Sequence, residues 1–192
     1  MKKKKVYVGS LVLGLLLVIC YMLPASKVKA AMSTNSDSSI SFQAGALSIL
    51  SVPNFEFGTW EISPVNRTYS LQADASIAVA DLRGSTSGWT LTVKQETQLK
   101  TQQNEELSGA QILMKTGTAT PSTAITLPSQ IQLIPGNAAT VMTCSGNAGS
   151  NLIQATWQGK NVTLTVPGST SKYATQYTCT LTWTLADVPT NE

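Results

Sequence analysis

The side chains that could do chemistry in this 192-residue chain are its carboxylates, its cysteines and its tryptophans. There is no His, so neither a Ser-His nor a Cys-His pair can assemble, because both need an imidazole to take the proton. Zinc sites built on His are excluded with them, and three Cys cannot supply a four-thiolate site. Glycan hydrolysis needs only two carboxylates. Glu56, Glu61, Asp74, Asp81, Glu96, Glu105 and Glu106 are present, but no spacing singles out a pair. Asp81-x-Arg83 reads more simply as an ion pair steadying a turn. A guanidinium there would depress the carboxylate pKa, the wrong direction for a general acid. No Asp-rich loop suggests calcium. Neither a metal, another cofactor nor enzymatic activity is expected, and a two-carboxylate hydrolase is the remaining alternative.

Two tripeptides stand out, Trp89-Thr90-Leu91 and Trp183-Thr184-Leu185. On a strand, the Trp and Leu of each project from one face, two positions apart, and the Thr from the other. One reading is core, since a Trp offers about 150–250 Å² of apolar area to bury. The other is a contact surface of Trp89, Thr90, Leu91, Trp183, Thr184 and Leu185 for a sugar or a protein partner, because Trp is favoured at both kinds of site.

The elements that would position these residues read as β. The chain contains 25 Thr, lacks long helical periodicity, and has Gly or Pro at short intervals. Tyr177 to Leu185 alternates bulky or apolar residues with Thr at period two, as do Val162–Val166 and Trp89–Val93. Further strands are expected at Leu71–Val79, Ala46–Val52, Gln111–Lys115, Gln130–Ile134 and Ala139–Cys144. Lys94–Leu107 is rich in helix formers but poor in apolar residues, which leaves a solvated helix or a long hairpin arm open. Many short strands with regular turns imply an all-β domain, an antiparallel sandwich in preference to a barrel.

The first 30 residues are different. Met1–Lys5 is cationic, Val6–Met22 is almost wholly apolar, Pro24 breaks the helix, and Val28-Lys29-Ala30 suits signal peptidase. This is the layout of a secretory signal peptide over residues 1–30, with cleavage expected after Ala30. The alternative is an uncleaved anchor, because the run approaches the roughly 18 residues of a spanning helix. Cys20 follows Leu17-Val18-Ile19, not the small residue of a lipoprotein signal. The whole chain carries +3, but six of its 13 cations lie in this leader. The exported remainder holds seven cations against ten acids, a net −3. Without a basic stripe, nucleic-acid binding is not expected.

Residues 31–39 are small and polar and read as a flexible tether, leaving residues 40–192 as one β domain. Cys144 and Cys179 remain after cleavage. In an oxidising exterior such a pair points to a disulfide. It would close 34 intervening residues and contribute ~4 kcal/mol if unstrained. Two buried thiols are the alternative. Val188–Glu192 has neither a hydrophobic tail nor a sorting motif, so surface attachment is expected to be non-covalent, without a stable membrane anchor.

The paired Trp-x-Leu motifs, one mid-chain and one near the C-terminus, resemble the WxL domain of Gram-positive surface proteins. Flanking blocks are similar too. They are Gly45-Ala46-Leu47-Ser48-Ile49 with Val52-Pro53 and Phe57-Gly58; Asp81-Leu82-Arg83-Gly84 with Gly88-Trp89-Thr90-Leu91-Thr92-Val93; and Tyr177–Pro189. The likeness runs from about Ile40 to Glu192. The family usually has a small residue such as alanine where Cys144 and Cys179 stand, which fits an added cross-link. The resemblance implies non-covalent attachment to the cell wall with peptidoglycan as ligand. It also implies surface complexes with a membrane-anchored WxL-interacting protein and larger WxL proteins. A single small domain of this type leaves no room for an adhesin module.

Overall fold

A computed structural model describes residues 32–146 and 151–188. The expected signal peptide, Cys20, the Gly146–Gly149 turn beyond Gly146, and the last four residues lie outside that set. The chain divides into two units, Met1–Ser41 and Phe42–Glu192. The described part of the first unit, residues 32–41, is exposed and has no regular structure. Among the described residues no helix is long and apolar enough to cross a membrane.

The second unit is all-β and sandwich-like. Its strands are β1 (Leu47–Ser51), β2 (Arg67–Ser70), β3 (Ala75–Asp81), β4 (Gly88–Gln95), β5 (Gln111–Lys115), β6 (Thr118–Thr120), β7 (Ile125–Thr126), β8 (Gln130–Leu133), β9 (Ala138–Cys144), β10 (Asn151–Trp157), β11 (Val162–Val166) and β12 (Leu181–Val188). One 3-10 turn, Gly159–Asn161, links β10 to β11. All described pairings are antiparallel, in three four-stranded sheets: β1-β3-β10-β6, β2-β11-β5-β8 and β12-β4-β9-β7.

Period-two alternation makes the core. Ile77 and Val79 of β3, Trp89, Leu91 and Val93 of β4, Ile112 and Met114 of β5, Ile153 and Trp157 of β10, and Val162 and Leu164 of β11 join one buried cluster. Their polar neighbours in sequence turn outward. In β9 two consecutive residues, Val141 and Met142, are both buried. The pairing register with β4 slips there, between Leu91 and Thr92, and the bulge lets the strand present both to the core.

Lys94–Leu107 is a hairpin arm and not a helix. Lys100 bridges both Glu106 and Thr178. The tip is shaped by Thr101, whose Oγ1 accepts the N–H groups of Gln103 and Glu105, and by Asn104 at φ 65°. Leu99 and Leu107 are the arm's buried anchors, with the Leu107 N–H on Leu99 O at 2.8 Å. Two apolar residues at this spacing suffice to tie down a hairpin but make no helical stripe.

Candidate functional site

The strand register places the two Trp-Thr-Leu segments side by side. β12 runs antiparallel to β4 with Trp183 opposite Val93, Leu185 opposite Leu91 and Asp187 opposite Trp89. Trp89 and Leu91 are 0% exposed, which corrects the expectation that they contact a ligand: no face of either side chain reaches solvent. Trp183 and Leu185 share their face but are only half-buried, because β12 closes the edge of its sheet with a neighbour on one side. The intervening threonines turn outward. Thr90, Thr92 and Thr184 lie on the outer surface, with Thr92 Oγ1 donating to Thr184 O at 3.4 Å.

One arginine bolts this pair of strands to the rest of the domain. Arg83 Nε and Nη2 donate to Asp81 Oδ1 and Oδ2, both at 2.9 Å, a bidentate ion pair. Nη2 also donates to Ser87 O at 2.9 Å, and Nη1 reaches the carboxylate of Asp187 on β12. Asp81 is itself buried at the end of β3. The Arg83 guanidinium holds the Asp81 carboxyl below its ordinary value, against the opposing effect of burial. Asp81, in turn, raises the pKa of Arg83, with Asp187 adding to the effect. Sequence reasoning placed Asp81 with Arg83 but missed Asp187. The available signal was its position two residues beyond Leu185, which puts it on the same face of a strand.

Cys144 and Cys179 are both free thiols, one buried and one half-buried, which corrects the expected disulfide. Register gives the reason. Cys144 pairs with Trp89 at one end of β4, on the β9 side. Cys179 precedes β12, whose Leu181 pairs with Gln95 at the other end of β4, on the opposite side. The eight-residue run of β4 corresponds to ~25 Å, far beyond the roughly 7 Å Cα separation a disulfide spans. Burial pushes the Cys179 thiol pKa up, so it is a poor nucleophile at neutral pH.

Three of the candidate acids are already engaged by other groups. Asp81 is engaged by Arg83, Glu96 takes Lys94 at 2.7 Å, and Asp74 Oδ1 accepts the Gly159 N–H at 2.8 Å. Among the described residues no group of three potential metal ligands is assembled.

An ordered, exposed aromatic surface lies elsewhere, on a tryptophan that sequence reasoning passed over. Trp60 is 58% exposed and stacks on Tyr69 of β2, ring centroids 5.4 Å apart and planes at 30°. Its loop is fixed from beneath. Phe55 and Phe57 pack edge to face at 6.3 Å and lean on the core, and Gln72 N–H binds Glu56 O at 2.9 Å. Gly58 at φ 84° turns the chain, and Trp60 Nε1 donates back to Phe57 O at 2.6 Å. Trp60 therefore stands in solvent with its orientation set. Beside it opens a cleft of about 700 Å³, lined among others by Glu61, Arg67 and Gln72. The buried Ser63 braces its wall through Arg67 Nε, which donates to Ser63 Oγ at 3.2 Å. Trp60 falls in no alternating run, so its isolation in a loop was the one clue that it served no strand.

Residues 25–189 match the family model described as WxL domain, surface cell wall-binding. Neither the curated proteins nor the solved structures contain a match.

Proposed function

We propose a function from the premise that this chain belongs to the WxL domain family and is a cell-wall-associated surface protein. Its ligand in the wall is peptidoglycan, held non-covalently and without catalysis. The observation that carries this reading is the extent of the match. Residues 25–189 include all twelve strands, so wall binding belongs to the β domain itself and not to an appended module. The three acids tied up by Arg83, Lys94 and the Gly159 amide support a binding role over hydrolysis. Export by a leader cleaved after Ala30 is part of the same proposal, with residues 31–39 as the tether.

A second reading is supported by β12. It is an edge strand of eight residues, and its core-facing row of Leu181, Trp183 and Leu185 is only half-covered among the described residues. An unpaired edge with apolar side chains suits addition of a partner's strand. The membrane-anchored WxL-interacting protein, or a larger WxL protein, is the partner this reading would place there. Sedimentation with purified sacculi separates the two. Retention on sacculi stripped of protein is expected for peptidoglycan binding. Retention only on sacculi that keep their proteins would reject it in favour of partner docking.

A further inference from the structure

We propose that the cleft between the Trp60–Tyr69 stack and Arg67 is a glycan subsite that takes a carboxylate-bearing amino sugar. This rests on the peptidoglycan reading and names its site. The sugar's apolar face lies on the exposed indole, and its carboxylate meets the guanidinium.

Three observations converge on that occupant. The first is the platform. An isolated exposed apolar side chain is ordinary, but Trp60 is held by a stack on Tyr69, by its own N–H bond to Phe57 O, and by a loop rooted through Phe55 and Phe57. Ordering a large aromatic in solvent costs conformational entropy without burying it. A pre-set flat ring lowers the cost of binding a flat partner.

The second is charge. Arg67 is exposed and makes no ion pair among the described residues, in contrast to Arg83, which has two. Its Nε is directed at Ser63 Oγ, which fixes the guanidinium while leaving both Nη groups to bind an anion. A bidentate carboxylate fits that fork.

The third is spacing. Arg67 and Tyr69 are alternate residues of β2, so they share a face about 6.8 Å apart along the strand. That separation suits one pyranose ring on the aromatic stack and a short acidic substituent beyond it. Glu61 and Gln72 on the same cleft offer acceptors, and Gln72 a donor, for the hydroxyl and acetamido groups of an amino sugar.

The carboxylate has two sources in peptidoglycan, the lactyl group of muramic acid and the stem peptide attached to it. Calorimetric titration of the exported protein with three probes distinguishes them: a neutral N-acetylglucosamine oligomer, N-acetylglucosaminyl-N-acetylmuramic acid with its lactyl carboxylate free, and the same disaccharide carrying its stem peptide. The acidic probes are expected to bind more tightly than the neutral oligomer. The free-lactyl disaccharide is favoured if the lactyl group is the contact, and the peptide-bearing one if the stem is. Trp60→Ala should weaken all three by at least about tenfold, with Trp60→Phe recovering part of the loss. Arg67→Gln should abolish the preference for acid, so that acidic and neutral probes bind the variant with the same affinity.

All three variants are at exposed positions, and an unchanged thermal midpoint is the accompanying check that they fold. If wild-type protein sediments with sacculi and Trp60→Ala does so equally well, the cleft is overturned and the peptidoglycan reading stands. If Trp60-dependent binding of fragments is found without binding to sacculi, the peptidoglycan reading falls and the cleft stands. An acid preference that survives Arg67→Gln rejects the role of the guanidinium. Absence of binding to all three probes rejects the subsite.

Discussion

Arg83 ties a local segment to a distant strand: it holds the end of β3 through Asp81 and the turn before β4 through Ser87 O, both within four residues of it, and reaches the edge strand through Asp187, 104 residues away. Its removal would leave Asp81 buried and without its counter-ion, the costly arrangement for a carboxylate. Arg83→Ala is expected to lower stability by about 3 kcal/mol, read by chemical denaturation. The same contact predicts a pH dependence. Arg83 depresses the Asp81 pKa in the folded state, so the unfolded chain binds the proton more readily. The stabilisation is complete above the ordinary carboxylate value of about 4 and is lost as pH falls through the lower, folded value. Thermal midpoints should therefore be level from neutral pH down to about 5 and drop below about 4, and Asp81→Asn should flatten the drop. A midpoint that falls equally in wild type and variant would assign acid sensitivity to other carboxylates. The Asp81–Arg83 contact was legible because two residues of opposite charge at i and i+2 can meet locally. The fate of Cys144 and Cys179 was not, because it depends on which strands flank β4 and in which register.

Trp-Thr-Leu segments on β4 and β12 have identical residues and unequal surroundings. β4 lies between β12 and β9 and is covered, whereas among the described residues β12 has a strand neighbour on one side only. Trp89→Ala should cost about 3–5 kcal/mol, as for a fully enclosed aromatic. Trp183→Ala should cost about 1–2 kcal/mol, because part of its surface is already in water. Equal losses in denaturant unfolding would mean that the edge is covered in solution. The sequence marked both strands, and also Val162–Val166 and Gln111–Lys115 with their observed ends, because strict alternation declares which face is buried. It missed β10, where Ile153, Ala155 and Trp157 are the buried set, since the small Ala and the apolar Leu152 blur the period. It missed β2 because Arg67–Ser70 is short and mostly exposed. That second omission mattered more. Without β2 there was no support for Tyr69, and nothing in the sequence could show that Trp60 stacks on it.

Net charge belongs to the molecule as a whole. The lysines that make the full chain basic lie in the expected leader, and the remainder carries −3. A wall rich in anionic polymer repels such a surface weakly, and salt screens that repulsion over a Debye length of about 10 Å at 0.1 M. The contact proposed for Arg67 in the cleft would be attractive, and salt would screen it too. The two effects oppose each other, so affinity for sacculi should change by less than about threefold between roughly 0.05 and 0.3 M salt. A basic domain adhering through many contacts behaves otherwise, because each contact adds to the slope of affinity against salt. Stripping the anionic polymers from the sacculi should strengthen binding, most clearly at low salt where the repulsion is longest in range. A tenfold or greater loss across that salt range would show that wall attachment depends on several cations, and Arg67 with the neutral stacking surface of Trp60 would then be insufficient to account for it.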